Sequence, residues 1–218
     1  MVQSLKYIAL IADTYDTYDA FDARAQVKSP EIQNNLNLAC RQLNTRRVAL
    51  RLVSPCRINE SGAAQALFGS AHALWVSIFE LEFAMHPLKL CYSIGIGEIE
   101  GGNPSQSDEI EGEALSLSQN GISSLKADAK KFRLIGSEEQ DALIEHSLNL
   151  ASYLTKSWRK NRIGTFVGLL KQQPVAQIAE QLQITEQAVY RNIRDAELMT
   201  LLALFKEISL RIDTNLRT

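Results

Sequence analysis

The spacing of apolar residues changes kind once along this chain, between Ile135 and Ser137. Before that point short β-branched and aliphatic runs alternate with helical stretches. After it every segment carries apolar residues three or four apart, the period of an amphipathic helix. A strand needs partners across its edges, whereas a helix satisfies its own backbone. Such a switch therefore divides a sheet-forming part from an all-helical part.

In order, Lys6–Asp13 reads as a central strand ending in a carboxylate, and 14–29 as an acidic, aromatic loop. Pro30 suits a first helical turn, and Ile32, Leu36, Leu38, Ala39 and Leu43 continue that helix. Val48–Val53 reads as a strand, Pro55–Ser61 as a turn, and Gly62–Phe68 as a strand or the start of the next helix. Ala71–Met85, with Trp75, Ile78, Phe79 and Leu81, is apolar enough for a buried helix, which Pro87 stops. Leu88–Ile99 is a strand, Gly112–Lys131 a helix and Phe132–Ile135 a last short strand. This order predicts an α+β, ferredoxin-like domain with additions over residues 1–136. A helical domain occupies 137–218, starting at Ser137 and Glu138 after Gly136. Its segments are Glu138–Ser152, Trp158–Lys171, Val175–Leu182, Glu186–Arg194 and Ala196 to Ile212. In the second of them Trp158, Phe166, Leu169 and Leu170 read as core.

Within the helical part, Val175–Leu182 and Glu186–Arg194 flank a three-residue break, Gln183-Ile184-Thr185. Ala179 is small enough for two helices to cross there, with Val189 facing it, as a helix-turn-helix requires. Thr185 is a good N-cap for the second helix. A glycine is usual at the turn, and a left-handed backbone at Gln183 costs about 1 kcal/mol. The outer face carries Gln187, Tyr190, Arg191 and Arg194, groups that a DNA-reading helix offers to base edges and phosphates.

Charge agrees in sign. Net charge is −2, but residues 156–218 hold ten Lys and Arg against six Asp and Glu, and the first 155 hold thirteen against nineteen. A mildly basic C-terminal third suits contact with phosphates, although neutral helical modules also show excesses of this size. The 45% apolar and 22% charged residues are those of an ordinary globular chain. No run reaches the roughly eighteen apolar residues of a membrane span, and Tyr7–Ala12 reads as a buried strand, not as a signal peptide. Cys40, Cys56 and Cys91 are odd in number and far apart, so reduced thiols and a cytoplasmic location are expected.

The strand run KYIALIAD, the segment INESGAAQALF where a GDEF-like hairpin would fall, SIGIGEIE followed by EGEALSLS, and the C-terminal helix pair together resemble the SatD family of bacterial proteins. The resemblance covers nearly the full length and implies a class III nucleotidyl cyclase-like N-terminal domain with a C-terminal helix-turn-helix. It implies a fold more than an activity. Cyclase chemistry needs two carboxylates on two metal ions that neutralise phosphate and activate a hydroxyl. The resemblance assigns the first to Asp13. At the hairpin the matching positions are Gly62, Ala63 and Ala64, with Glu60 two residues earlier, and a displaced site of Asp13 and Glu60 would hold Mg²⁺. On the later helix, where active cyclases offer Asn and Arg, stand Ser116 and Asn120. Three of four catalytic elements are thus absent, so no catalytic residue and no cofactor is expected.

Other residues admit plainer readings. Asp13 can cap the loop after its strand, and Asp16, Asp19 and Asp22 can form a solvated loop instead of a cation site. Ile94-Gly95-Ile96-Gly97 lacks the third glycine of a dinucleotide fingerprint and more simply allows close backbone approach. His72, His86 and His146 form no ligand pair. The last helix, with Leu198, Leu201, Leu202, Leu204, Phe205 and Ile208, packs on the N-terminal domain or forms a homodimer contact. The leading expectation is a DNA-binding transcriptional regulator with a non-catalytic sensing or oligomerising domain. The alternatives are a metal-dependent nucleotide-binding or nucleotide-processing enzyme and a protein–protein interaction module.

Overall fold

The run Lys6–Thr14 becomes the middle strand, β1, of a five-stranded sheet. The computed structural model describes residues 5–14, 30–46, 52–100, 110–128, 130–136 and 141–217. The other strands are β2 (Leu52–Ile58), β3 (Ala64–Phe68), β4 (Leu90–Glu98) and β5 (Phe132–Ile135), in the order β2-β3-β1-β4-β5. β1 pairs antiparallel with β3 and β4, and β3 antiparallel with β2. Helix α1 (Pro30–Thr45) connects β1 to β2, and α2 (Ala71–Met85) connects β3 to β4. That connectivity is the ferredoxin-like α+β arrangement. The addition is α3 (Glu113–Asp128), a crossover to β5, which lies parallel to β4.

Alternation along β1 decides which layer each residue joins. Ile8, Leu10 and Ala12 pair across the sheet with Phe68, Ala66 and Ala64 on one side and with Ile96, Ile94 and Tyr92 on the other. All of these belong to the main core with α1 and α2. Ala9 and Leu67 point the other way, against Ala114 and Leu115 of α3. The glycines of SIGIGEIE make that second layer: a Cβ on Gly95 would stand 2.1 Å from the carbonyl oxygen of Ala114. The expected close backbone approach is therefore between β4 and α3.

Helix α2 is apolar over most of its surface because most of it is covered, with His72, Glu80 and Glu82 on its open flanks. The sheet lies beneath it, and helices α5 (Lys160–Leu170) and α8 (Leu198–Asn215) lie above. Phe205 meets both Trp75 and Phe79 edge-on, at centroid distances of 5.1 and 5.4 Å, and Phe166 meets Phe79 at 4.7 Å. Trp158 packs on Phe166, as expected for core. Polar anchors fix the seam: Trp75 Nε1 donates to Ser209 Oγ at 3.0 Å, and the Ala71 N–H donates to Asp213 Oδ1 at 2.7 Å. The apolar stripe of α8 thus packs within its own chain through Leu198, Leu201, Phe205 and Ile208, leaving Met199 and Leu210 exposed.

The open edge of β5 is closed by side chains of helix α4 (Asp141–Thr155). Asn149 Oδ1 accepts from the N–H of Lys131 and of Phe132, and Glu145 Oε2 accepts from the N–H of Leu134. An edge strand so covered cannot pair with another chain. Buried Glu145 is also faced by Arg133 at 3.3 Å. Burial, with the Glu82 carboxylate 2.8 Å away, pushes the Tyr92 phenol well above its usual range.

Two sequence expectations are sharpened. Pro55–Ser61 is not a turn from its start, since β2 runs to Ile58 and the turn is 59–63. A proline is tolerated there because β2 is an edge strand with register breaks between Leu52 and Arg57. Gly62–Phe68 resolves as strand, from Ala64. Of the first segment of the helical part, the structure describes the helix Asp141–Thr155. Cys40, Cys56 and Cys91 form no disulfide, but Cys40 and Cys56 are not far apart in space: their sulfurs lie 2.7 Å from each other between α1 and β2. The Cys40 contact and burial push the Cys56 thiol up. Asp16, Asp19, Asp22, Ser137 and Glu138 lie outside the described residues.

Candidate nucleic-acid interface

The last turn of helix α6 (Val175–Leu182) sets the direction in which the chain leaves it. Gln183 takes the left-handed conformation at φ 55° and ψ 44°, the conformation that a glycine adopts more cheaply. The Ile184 N–H returns to the Ala179 carbonyl at 3.0 Å and the Gln183 N–H to that of Glu180 at 3.1 Å. This pair of bonds is a Schellman closure, and Ile184 supplies its apolar contact against Ile178 and Ala179. Thr185 then caps helix α7 (Glu186–Asp195), its Oγ1 accepting from the Ala188 N–H at 3.1 Å.

Val189 is fully buried against Ile178 and Ala179, the small-residue crossing expected from the sequence. A second anchor goes beyond that expectation. Asn192 donates through Nδ2 to Thr165 Oγ1 of α5 at 3.1 Å, and a Cβ on Gly168 would strike Ile178 at 2.5 Å. The Gly164-x-x-x-Gly168 spacing in the apolar second half of that helix is the sequence signal for this close approach.

With Val189 and Asn192 turned inward, Gln187, Tyr190, Arg191 and Arg194 are all exposed, and the i, i+3, i+4, i+7 spacing sets them along one stripe. Tyr190 keeps 58% of its surface open. Arg194 is bound to Asp195 at 2.9 Å on the surface. Arg191 has no carboxylate partner among the described residues. The stripe offers an amide, a phenol and two guanidinium groups on a rigid element, a set able to donate to base edges and phosphates.

The other group of sequence-predicted residues sits at the end of β1. Asp13 is 4% exposed, and its Oδ1 accepts from the Thr14 N–H at 2.7 Å, as a strand-end cap does. Ala12 pairs with Ala64, so the β2–β3 hairpin lies beside this end of the strand. Its turn is built by Asn59, whose Oδ1 accepts from the Ala63 N–H at 3.0 Å and from Ser61 Oγ at 2.7 Å. Gly62 and Ala63 are buried, while Glu60 is exposed in the turn. Asp13 and Glu60 thus stand in unlike surroundings, one buried and bonded to the backbone and the other in solvent. Among the described residues no three His, Cys, Asp or Glu converge as metal ligands. Ser116 and Asn120 are exposed on α3. His72, His86 and His146 remain separate: His72 is in the first turn of α2, His86 comes just after that helix, and His146 is on α4. No described helix is long and apolar enough to cross a membrane.

No family model and no curated protein matches the chain. Among solved structures it is similar to a bacterial light-regulated adenylyl cyclase, at 13% identity over 61% of this chain and 76% of that one, with a TM-score of 0.42. The adenylyl cyclase CyaB from P. aeruginosa aligns at 13% identity over 66% of this chain and 82% of that one, with a TM-score of 0.34. Likeness at this level adds nothing to the fold, which stands on strand order and register.

Proposed function

We propose that this chain is a DNA-binding regulator in which α6 and α7 form a helix-turn-helix and α7 is the helix that meets the duplex. The observation that carries the reading is the stripe Gln187, Tyr190, Arg191 and Arg194, exposed together while Val189 and Asn192 hold the helix from behind. Base edges in a major groove are recognised by such donors on a helix of this size. The sheet domain, whose hairpin carries Gly62, Ala63 and Ala64 where cyclase chemistry needs a carboxylate, serves as a non-catalytic cyclase-like sensing or oligomerising unit. In this reading the protein is a SatD-like cytoplasmic regulator, and it binds as a homodimer because one recognition helix covers few base pairs.

The test is retention of a pool of genomic fragments at low salt, then the same assay with Arg191→Ala and Arg194→Ala together. Selective retention that the double variant loses supports the reading. Absence of retention, or retention indifferent to both substitutions, removes it.

A further inference from the structure

A cleft of about 520 Å³ runs between the start of α5 and the flank of α7. We infer that this cleft is a second contact for duplex DNA, one that grips the phosphate backbone beside the groove entered by α7. The inference rests on the reading of α7 given above and adds residues that lie outside its stripe. Arg159, Lys160 and Arg162 line the cleft from α5, Arg191 lines it from α7, and Ser157 and Asn161 supply neutral donors.

Its charge is one-sided. No Asp or Glu lines the cleft, and none of the four cations has a carboxylate partner among the described residues, although the Lys160 ammonium rests over the Phe83 ring at 5.0 Å. Several basic side chains elsewhere are matched: Arg46 and Lys171 with Glu80, Lys131 with Glu82, Arg133 with Asp128 and Glu145. The Arg162 Nε is buried and has no hydrogen-bond partner. Helix α5 opens at Arg159 with no side-chain cap, so free N–H groups and the positive end of the helix dipole face the same cations. Cations at that end repel the dipole, and an anion relieves both.

Position selects a polymeric anion. Arg191 belongs at once to the cleft and to the stripe of α7, so one ligand can touch both surfaces. A duplex does so by placing bases against Gln187 and Tyr190 and a flanking phosphate over Arg159 and Lys160. Phosphate contacts of this kind set affinity and register, not sequence preference.

The experiment measures binding of a fluorescently labelled mixed-sequence duplex by anisotropy across a potassium chloride series, with wild type and with Arg159→Gln/Lys160→Gln. Both side chains are exposed, so the variant keeps its fold. Each lost phosphate contact lowers the slope of log Kd against log salt by about one, so the double variant falls by about two and binds about tenfold more weakly near 0.1 M salt. Arg162→Gln adds a third step, and Arg159→Lys restores most of its share. If wild type binds and Arg191→Ala weakens it while Arg159→Gln/Lys160→Gln leaves the slope unchanged, the cleft is no part of the interface and only this inference falls. If wild type does not bind duplex at all, the reading of α7 falls and takes this inference with it.

Discussion

The end of β1 and the outer face of α7 hold comparable numbers of polar residues and use them in opposite ways. At the strand end Asp13 is buried and bonded to the next N–H, and Asn59 spends its amide on closing the hairpin. At α7 the anchoring is done by Val189 and Asn192, which leaves Gln187, Tyr190 and Arg191 with no structural task. A polar group committed to the backbone has little left for a ligand, because withdrawing it exposes a buried donor at a cost of about 1–3 kcal/mol. A group on a helix already held from behind can bind at no such cost. The contrast teaches where to look for function in this molecule.

The largest effect should come from the aromatic seam on which both regions depend. Phe205→Ala is expected to cost about 3–5 kcal/mol, from lost burial and the cavity left between α2 and α8. Urea unfolding monitored by tryptophan fluorescence and circular dichroism should show one shared transition at a lower midpoint. Loss of the helices with the sheet intact would make the two regions independent and break the comparison at its root.

Next is the difference between the arginines of α7. Arg191→Ala should weaken duplex binding about tenfold, while Arg194→Ala, whose side chain is already held by Asp195, should cost less. Titration of both variants with the same duplex separates them, and equal losses would mean that the Asp195 contact is irrelevant to binding.

Gln183→Gly should stabilise the fold by about 1 kcal/mol, since glycine adopts the left-handed conformation without a Cβ penalty. Thermal denaturation reads this out. A fall in Tm would show that the Gln183 side chain makes a contribution larger than its backbone strain. The smallest effect concerns the other region: nucleoside triphosphates with Mg²⁺ or Mn²⁺ should move Tm by less than about 1 °C. A rise of several degrees, abolished by Asp13→Asn, would return the strand end to use as a metal site.

Much of the architecture is legible from residues alone because it is local. The 3.6-residue period, the Thr185 cap and the alternation along Ile8–Ala12 depend on neighbours within a turn or a strand, and each places itself. Expectations miss where edges matter, as at Pro55, which only an edge strand with broken register accommodates. The Cys40–Cys56 contact joins residues sixteen apart through a helix–sheet packing that no spacing rule contains. Arg159, Lys160 and Arg162 enter the sequence reading only through the net charge of residues 156–218.

The sequence by itself thus determined the α+β class, the capped helix pair and the exposure of Gln187, Tyr190, Arg191 and Arg194. Periodicity encodes which side of an element is apolar. Only the tertiary structure decided that the stripe of α8 is consumed by Trp75 and Phe79, that Asp13 is buried, and that the cations of α5 and Arg191 share one cleft without a carboxylate. Those outcomes depend on what lies opposite each residue, and opposition is set by packing between segments far apart in the chain.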